Sequence, residues 1–196
     1  MLVYNLIGDI MKVSIEDIKK ESFQMVKLEG YDKFSLRKLA NNLSIKPSSL
    51  YNHINGIEDI YLFLIEDISL DIKNYLNDRF YSNPKEELIY LVNKYIDYSN
   101  VNKNLYEAYI KIPKNDVARK KSHSAYDMFK DVIKKFNIKK ENRIHFLRIL
   151  RSNLDGFIEV KNNGFMNEEK FLLSNTLDIM IDNLYKLLER LEKNEI

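Results

Sequence analysis

A chain of 196 residues that is 45% apolar is long enough for one large domain or two small ones, each with a real core. Five glycines and three prolines are too few for the many turns of a β-rich fold, and the absence of cysteine excludes disulfides, thiolate metal sites and cysteine nucleophiles. The net charge of +2 is too small to announce a nucleic-acid partner, and no apolar run approaches the roughly 18 residues of a membrane span, so no membrane partner is expected.

The opening MLVYNLIGDIMKV lacks a basic start and a small-residue cleavage site. It is expected to be a short helical arm or to precede a true start at Met11. Ser14 then caps the first helix, with Asp17 three residues on, and Gly30 stops it. Ser35 is a good cap for a short second helix whose Leu36, Leu39, Ala40 and Leu43 recur at three- and four-residue spacing. Ser44–Lys46 forms a break. Pro47 suits the first turn of a third helix, because its missing N–H would be unpaired there. That helix is predicted to run to about Ile54, before the turn signal Asn55-Gly56. Longer helices are predicted over about 57–80, 84–100, 103–111, 115–136, 141–163 and 168–192, with Pro113 and Gly164 as breaks. The fold class is all-α with about nine helices, three short and six longer.

Charge is distributed unevenly. Between Asp32 and Glu58 there is no acidic residue, while Lys33, Arg37, Lys38 and Lys46 give that stretch +4. It coincides with the pattern of a helix-turn-helix, in which one helix holds a second so that its outer face enters the major groove. Ala40 supplies the small residue at the crossing. Leu36, Leu39, Leu43, Ile45 and Leu50 point inward, and Lys46, Ser48, Ser49 and Asn52 offer a short polar outer face beside Tyr51 and His53.

The stretch FSLRKLANNLSIKPSSLYNHINGIEDIYLFL, residues 34–64, resembles the TetR (tetracycline repressor-like) family. Leu39-Ala40, the turn near Ser44, Leu50-Tyr51, His53-Ile54, Asn55-Gly56 and the acidic Glu58-Asp59 carry the resemblance, which covers residues 14–64. Two positions depart from the family pattern. Ser44 stands where glycine is common in the turn, and Ile57 stands where a lysine usually meets a phosphate. The resemblance implies an N-terminal three-helix DNA-binding domain over 1–56 and a helical ligand-binding and dimerisation bundle over 57–196. It implies that Ser35, Arg37, Tyr51 and His53 lie near the DNA backbone or groove edge, and that Lys46, Pro47, Ser48, Ser49 and Asn52 face base edges.

For the bundle, the resemblance implies a homodimer through the last two helices. Their apolar residues, among them Ile144, Leu150, Phe157, Leu177, Leu184 and Leu188, cover more than the single stripe that packing on one core requires. It also implies a double-stranded, pseudo-palindromic DNA operator and a small-molecule effector, partly apolar or aromatic, that releases the protein from it. Tyr106, Tyr109, His123, Tyr126, Phe129, Arg148 and Asp155 are candidates to line the effector site, with core packing as the competing role for each aromatic residue. No cofactor and no metal are expected, and the cysteine-free chain fits the reducing cytoplasm. The reading is a ligand-responsive transcriptional regulator, a repressor before an activator. Its alternative is a relative that binds ligand as a coactivator without touching DNA. An enzyme is not expected: Glu141 and His145 share a helix face at i, i+4, but no further ligand motif, P-loop or dinucleotide fingerprint accompanies them.

Overall fold

The computed structural model describes residues 13–77, 81, 83–113, 115–121, 125–166 and 172–195. Among them are ten α-helices, one 3-10 turn and no strand. The helices are α1 (Ile15–Glu29), α2 (Leu36–Asn42), α3 (Pro47–Leu50), α4 (Ile57–Leu76), α5 (Pro84–Val101), α6 (Lys103–Lys111), α7 (Asp116–Lys121), α8 (Ala125–Ile133), α9 (Lys140–Asn162) and α10 (Leu173–Glu192). No described helix is long and apolar enough to cross a membrane.

Local chemistry explains the ends of the first helices. Ser14 and Asp17 close a full capping box: the Asp17 amide donates to Ser14 Oγ at 3.2 Å, and the Ser14 amide donates to Asp17 Oδ2 at 2.8 Å. The Ser14 hydroxyl, which donates to Asp17 Oδ2 at 2.6 Å, and then the Ser14 amide hold the Asp17 carboxyl below its ordinary pKa. Gly30 ends α1 at φ 90°, a conformation that residues with a Cβ rarely adopt. Ser35 caps α2 by accepting from the Lys38 amide at 3.2 Å.

The turn between α2 and α3 keeps the glycine-type geometry although a serine occupies it. Ser44 has φ 55°. The Ser44 amide reaches Asn41 O and the Ile45 amide reaches Ala40 O, each at 3.0 Å, which together form a Schellman motif. A left-handed backbone costs an L-residue roughly 1–2 kcal/mol, against which glycine's extra chain entropy is a smaller penalty. Ser44→Gly is therefore expected to stabilise the protein by about 0.5–1 kcal/mol. Thermal unfolding followed by circular dichroism should show a rise of about 2 °C. A melting temperature that falls would refute a strained turn.

Several boundaries differ from the periodicity. α3 closes at Leu50 rather than near Ile54. The Asn52 and His53 amides bond back three residues, to Ser49 and Leu50, and this tighter winding turns Ile54 into the core. α4 stops at Leu76, and residues 78–80 of its expected extension lie outside the described residues. Of the helix expected over 115–136, α7 and α8 are described on either side of residues 122–124, which lie outside the described residues, and α8 ends at Ile133 so that Phe136 and Ile138 can be buried. The expected start of the last helix at 168 lies outside the described residues, as does the proposed arm before Val13.

The chain forms two compact units, and neither is continuous in sequence. The first comprises Met1–Ile68 and Asn102–Ser122. Its core holds Ile18, Val26, Leu39, Ala40, Leu50, Ile60 and Leu64, all inaccessible to solvent. α1 packs on α2 and α6, and α2 packs on α3. Asn42 Nδ2 ties α2 to α1 through Glu21 at 2.7 Å, and Asn104 Nδ2 ties α6 to α1 through the Lys27 carbonyl at 3.0 Å. The second unit comprises Ser69–Val101 and His123–Ile196. There α5 packs on α8, α9 and α10, and α9 packs on α8 and α10. The tyrosine hydroxyls of Tyr98 and Tyr75 bind the end of α4 to α5, donating to Asp71 at 2.8 Å and to Asp97 at 2.6 Å. The division between the units falls within α4, after Ile68, and α6 is buried against α1.

Candidate functional site

Within the first unit, the helix-turn-helix divides its residues cleanly. Leu39, Ala40 and Leu50 are fully buried where α2 meets α3, so the second helix is held by its apolar side. Arg37, Lys46, Pro47, Ser48, Tyr51 and Asn52 are exposed, and Ser49 and His53 are half-buried. Tyr51 is 59% exposed. Ser35 is exposed but has a structural task as the cap of α2.

The charge of this surface is smaller than the sequence count of +4. Lys38 pairs with Glu29, a residue from the end of α1 that lies outside the acid-free stretch. Arg37 and Lys46 make no ion pair or side-chain hydrogen bond among the described residues, and so keep their full charge for a partner. At the next helix the balance reverses. Glu58 and Asp59 occupy the first turn of α4, and Asp59 Oδ2 accepts from the Asn55 amide at 2.7 Å and from Asn55 Nδ2 at 3.1 Å. Acidic residues in a first turn are stabilised by the helix dipole.

The candidate effector residues are divided between the two units. Tyr106 and Tyr109 lie on α6 in the first unit, 3% and 2% exposed, as part of its core. Arg148 is on the outer face of α9, exposed. His123 lies outside the described residues. Tyr126, Phe129 and Asp155 do converge, in the second unit, where they meet Tyr95. The Asp155 carboxylate accepts from both Tyr95 and Tyr126 hydroxyls at 3.1 Å, and its other oxygen accepts from Arg151 Nε at 3.2 Å. The Arg151 guanidinium stacks 4.4 Å from the Tyr126 ring. Tyr95, Tyr126 and Phe129 form a triangle with ring centroids 5.8, 6.3 and 5.9 Å apart. All three rings are buried. Sequence reasoning found three members of this cluster but missed Tyr95 and Arg151, which nothing in the local pattern separates from other helical residues.

Burial leaves its mark on the tyrosines. Tyr98 and Tyr126 are pushed well above the ordinary phenol range, first by desolvation and then by the carboxylates of Asp71 and Asp155. Tyr31 is raised to about 12 by desolvation and by its hydrogen bond with Tyr61. A raised tyrosine pKa means that the unfolded chain loses its proton first. Stability is thus complete below about pH 10 and falls as pH rises above it, through about 12 for Tyr31. An absorbance titration at 295 nm should show these tyrosines ionising only together with loss of helix. If all thirteen tyrosines of the native protein titrated near pH 10, the buried network would be wrong.

Among the described residues there is no group of three His, Asp or Glu side chains placed to hold a metal. Glu141 and His145 both stand exposed on α9.

No protein-family model matches the chain. An uncharacterized HTH-type transcriptional regulator of Bacillus subtilis, YobS, is 28% identical over 158 residues, covering 77% of this chain and 81% of that one. Among solved structures, apo ActR from Streptomyces coelicolor superimposes with a TM-score of 0.71 at 10% identity, covering 94% of this chain and 99% of ActR. A TetR variant from Acinetobacter baumannii AYE, solved in complex with minocycline, gives a TM-score of 0.67 at 12% identity, covering 92% of this chain and 98% of that one.

Proposed function

We propose that this chain, which has the TetR-family fold and a transcriptional regulator as its sequence relative, is itself a DNA-binding transcriptional regulator that a small molecule releases from its operator. The observation that carries the reading is the outer face of the helix-turn-helix. Arg37, Lys46 and Tyr51 stand exposed on a segment whose other side is locked by Leu39, Ala40 and Leu50. A surface that served only solubility would not need a buried scaffold to set its geometry.

In this reading Arg37 and Lys46 provide the charged contacts with DNA. Tyr51 and His53 meet the backbone or groove edge, while Pro47, Ser48, Ser49 and Asn52 face the bases. Ser35 adds a phosphate contact only if its hydroxyl donates while its oxygen caps α2. The functional boundary lies near residue 56, with DNA contacts before it and effector binding and dimerisation after it. The protein works in the cytoplasm, where its operator is.

The partner in the assembly is a second copy. On α9, Ile149, Ser152, Gly156 and Val160 follow at three- and four-residue spacing and all are exposed. A Cβ at Gly156 would meet no atom within 4 Å, so nothing within the chain requires a glycine there. Glycine in a helix interior is unfavourable by about 1 kcal/mol relative to alanine, and close approach of another helix explains it. On α10, Ile179 is 64% exposed.

The effector acts through differential affinity. It binds the geometry that does not fit DNA, and the shift reaches the DNA-binding segment along α4. ActR has been solved with a small molecule, (S)-DNPA, and the A. baumannii TetR with minocycline, which supports an effector here. The decisive experiment is a mobility shift with the DNA upstream of the chain's own gene at low salt. A retarded band that pseudo-palindromic competitor DNA removes is the expected result. If no genomic fragment binds, the chain is a ligand-binding coactivator and the regulator reading fails.

A further inference from the structure

The chain contains two Asn-Gly pairs, Asn55-Gly56 between α3 and α4 and Asn163-Gly164 at the end of α9. In such a pair the glycine nitrogen can attack the asparagine carboxamide. The two groups are held close enough to close a small ring, and no Cβ on the second residue stands in the way. The pairs are identical in sequence and differ in structure.

At the end of α9 the reacting groups are engaged. The Gly164 amide donates to the Lys161 carbonyl at 3.1 Å. The Asn163 carboxamide is drawn back to the preceding turn, where its Nδ2 donates to Glu159 Oε1 at 2.9 Å. Gly164 has φ 79°, the left-handed form that closes a helix.

Between α3 and α4 the arrangement is reversed. Asn55 is exposed, and the Gly56 amide makes no hydrogen bond among the described residues. The Asn55 carboxamide reaches forward along the chain, its Nδ2 donating to Asp59 Oδ2 at 3.1 Å. Gly56 does not have a positive φ, so the backbone of this turn does not require a glycine. A Cβ there would meet one atom, Glu58 Oε2 at 2.8 Å, which is the far end of a flexible side chain.

We propose that Asn55 is a self-modification site, converting to aspartate and isoaspartate and thereby weakening the protein's hold on DNA. The Gly56 nitrogen gives its proton to hydroxide and forms a bond to Asn55 Cγ. The Cγ–Nδ2 bond breaks, and the nitrogen takes a proton from water and leaves as ammonia, which restores the hydroxide. Water then opens the cyclic imide at one carbonyl to give aspartate or at the other to give isoaspartate, and no oxidant or reductant is needed. Either product adds one negative charge two residues after His53. In aspartate that charge replaces the donor that met Asp59 Oδ2, and like charges in contact are unfavourable. In isoaspartate a methylene also enters the main chain. The chemistry is independent of the regulator reading. Its consequence for DNA rests on that reading, since the added charge repels phosphate.

The test is timed incubation of the full chain in mildly alkaline buffer, with peptide mapping by mass spectrometry at both pairs. In the folded chain residue 55 should exchange its amide nitrogen for oxygen about tenfold faster than residue 163, and in denaturant the two rates should converge. Gly56→Ala, whose Cβ crowds the attacking nitrogen, should slow the reaction at residue 55 by about tenfold, with circular dichroism to check folding. The site is overturned if residue 163 keeps pace with residue 55 in the folded chain, or if a folded Gly56→Ala reacts as wild type does. A mobility shift reads the consequence. Asn55→Asp should weaken operator binding about fivefold to tenfold at low salt, while the neutral Asn55→Gln stays within about twofold of wild type. Asn55→Asp that binds as tightly as wild type overturns the effect on DNA. Wild type that retards no DNA but still converts at residue 55 sinks the regulator reading and keeps the modification site.

Discussion

Replacing Arg37 and Lys46 together with alanine is expected to lower operator affinity by about 100-fold or more at physiological salt. Each is a cation with no internal partner among the described residues, on a surface that faces outward. Hydrogen bonds to a charged group contribute roughly 1.5–3 kcal/mol, so losing two in each half-site exceeds the 2.8 kcal/mol or so of a hundredfold change. The salt dependence should fall too, by about 0.9 in the logarithmic slope for each phosphate that is no longer neutralised. Lys38→Ala is the informative comparison. It removes one positive charge where the double variant removes two, and that charge is already engaged by Glu29, so its effect should be well under half as large in free energy. Arg37 and Lys46 are exposed, and the melting temperature of the double variant should not move. Fluorescence anisotropy across a salt series reads all of this. A loss for Lys38→Ala that is half that of the double variant on the logarithmic scale would mean that net charge, and not a placed contact, holds the DNA.

Ile149→Glu combined with Ile179→Glu should convert the protein from a dimer to a monomer. Both residues are exposed in the single chain, 40% and 64%, so placing glutamate there leaves each protomer's core untouched. In a two-fold interface each substitution occurs twice. Burying an isoleucine side chain is worth roughly 1.5–3 kcal/mol, and burying an unpaired carboxylate is strongly unfavourable. Dimer dissociation should therefore rise by about 1,000-fold or more. Sedimentation velocity gives the mass directly. Operator binding should collapse in parallel, because two recognition segments must be held one helical turn apart to engage a palindrome together. A variant that still sediments as wild type would place the assembly surface elsewhere. Gly156→Leu is the complementary probe: it adds bulk without charge where the chain itself leaves open space.

Much of the first unit was legible in the sequence because its signals are local. A capping serine, a glycine with positive φ, a proline at a first turn and a small residue at a crossing act within a few residues of themselves, and Ser14, Gly30, Pro47 and Ala40 each do so here. The inward and outward sides of the helix-turn-helix followed from three- and four-residue spacing, and burial agrees at Leu39 and Leu50. The outer face had a weaker reading. Counting charge along the chain gave +4, whereas Glu29 arrives from the preceding helix and takes Lys38. Nothing in a linear window contains that pairing.

The effector side was less legible for a similar reason. An apolar stripe states that a helix is buried but not what buries it. Tyr106 and Tyr109 share a helix with no sequence feature that assigns it to α1, yet that is where α6 packs. Conversely, Leu76, Glu87, Tyr90 and Lys135 line one cavity although they come from separate stretches that each look ordinary.

The sequence by itself determined an all-helical chain, the place and polarity of the helix-turn-helix, and the residues that cap and break its helices, because those depend on backbone preferences and on near neighbours. Only the tertiary structure decided which cations stay free, which tyrosines share a carboxylate and where a cavity remains. Each of these depends on atoms brought together from distant parts of the chain, and the free energy that decides them is set by packing and burial, which no single stretch of sequence contains.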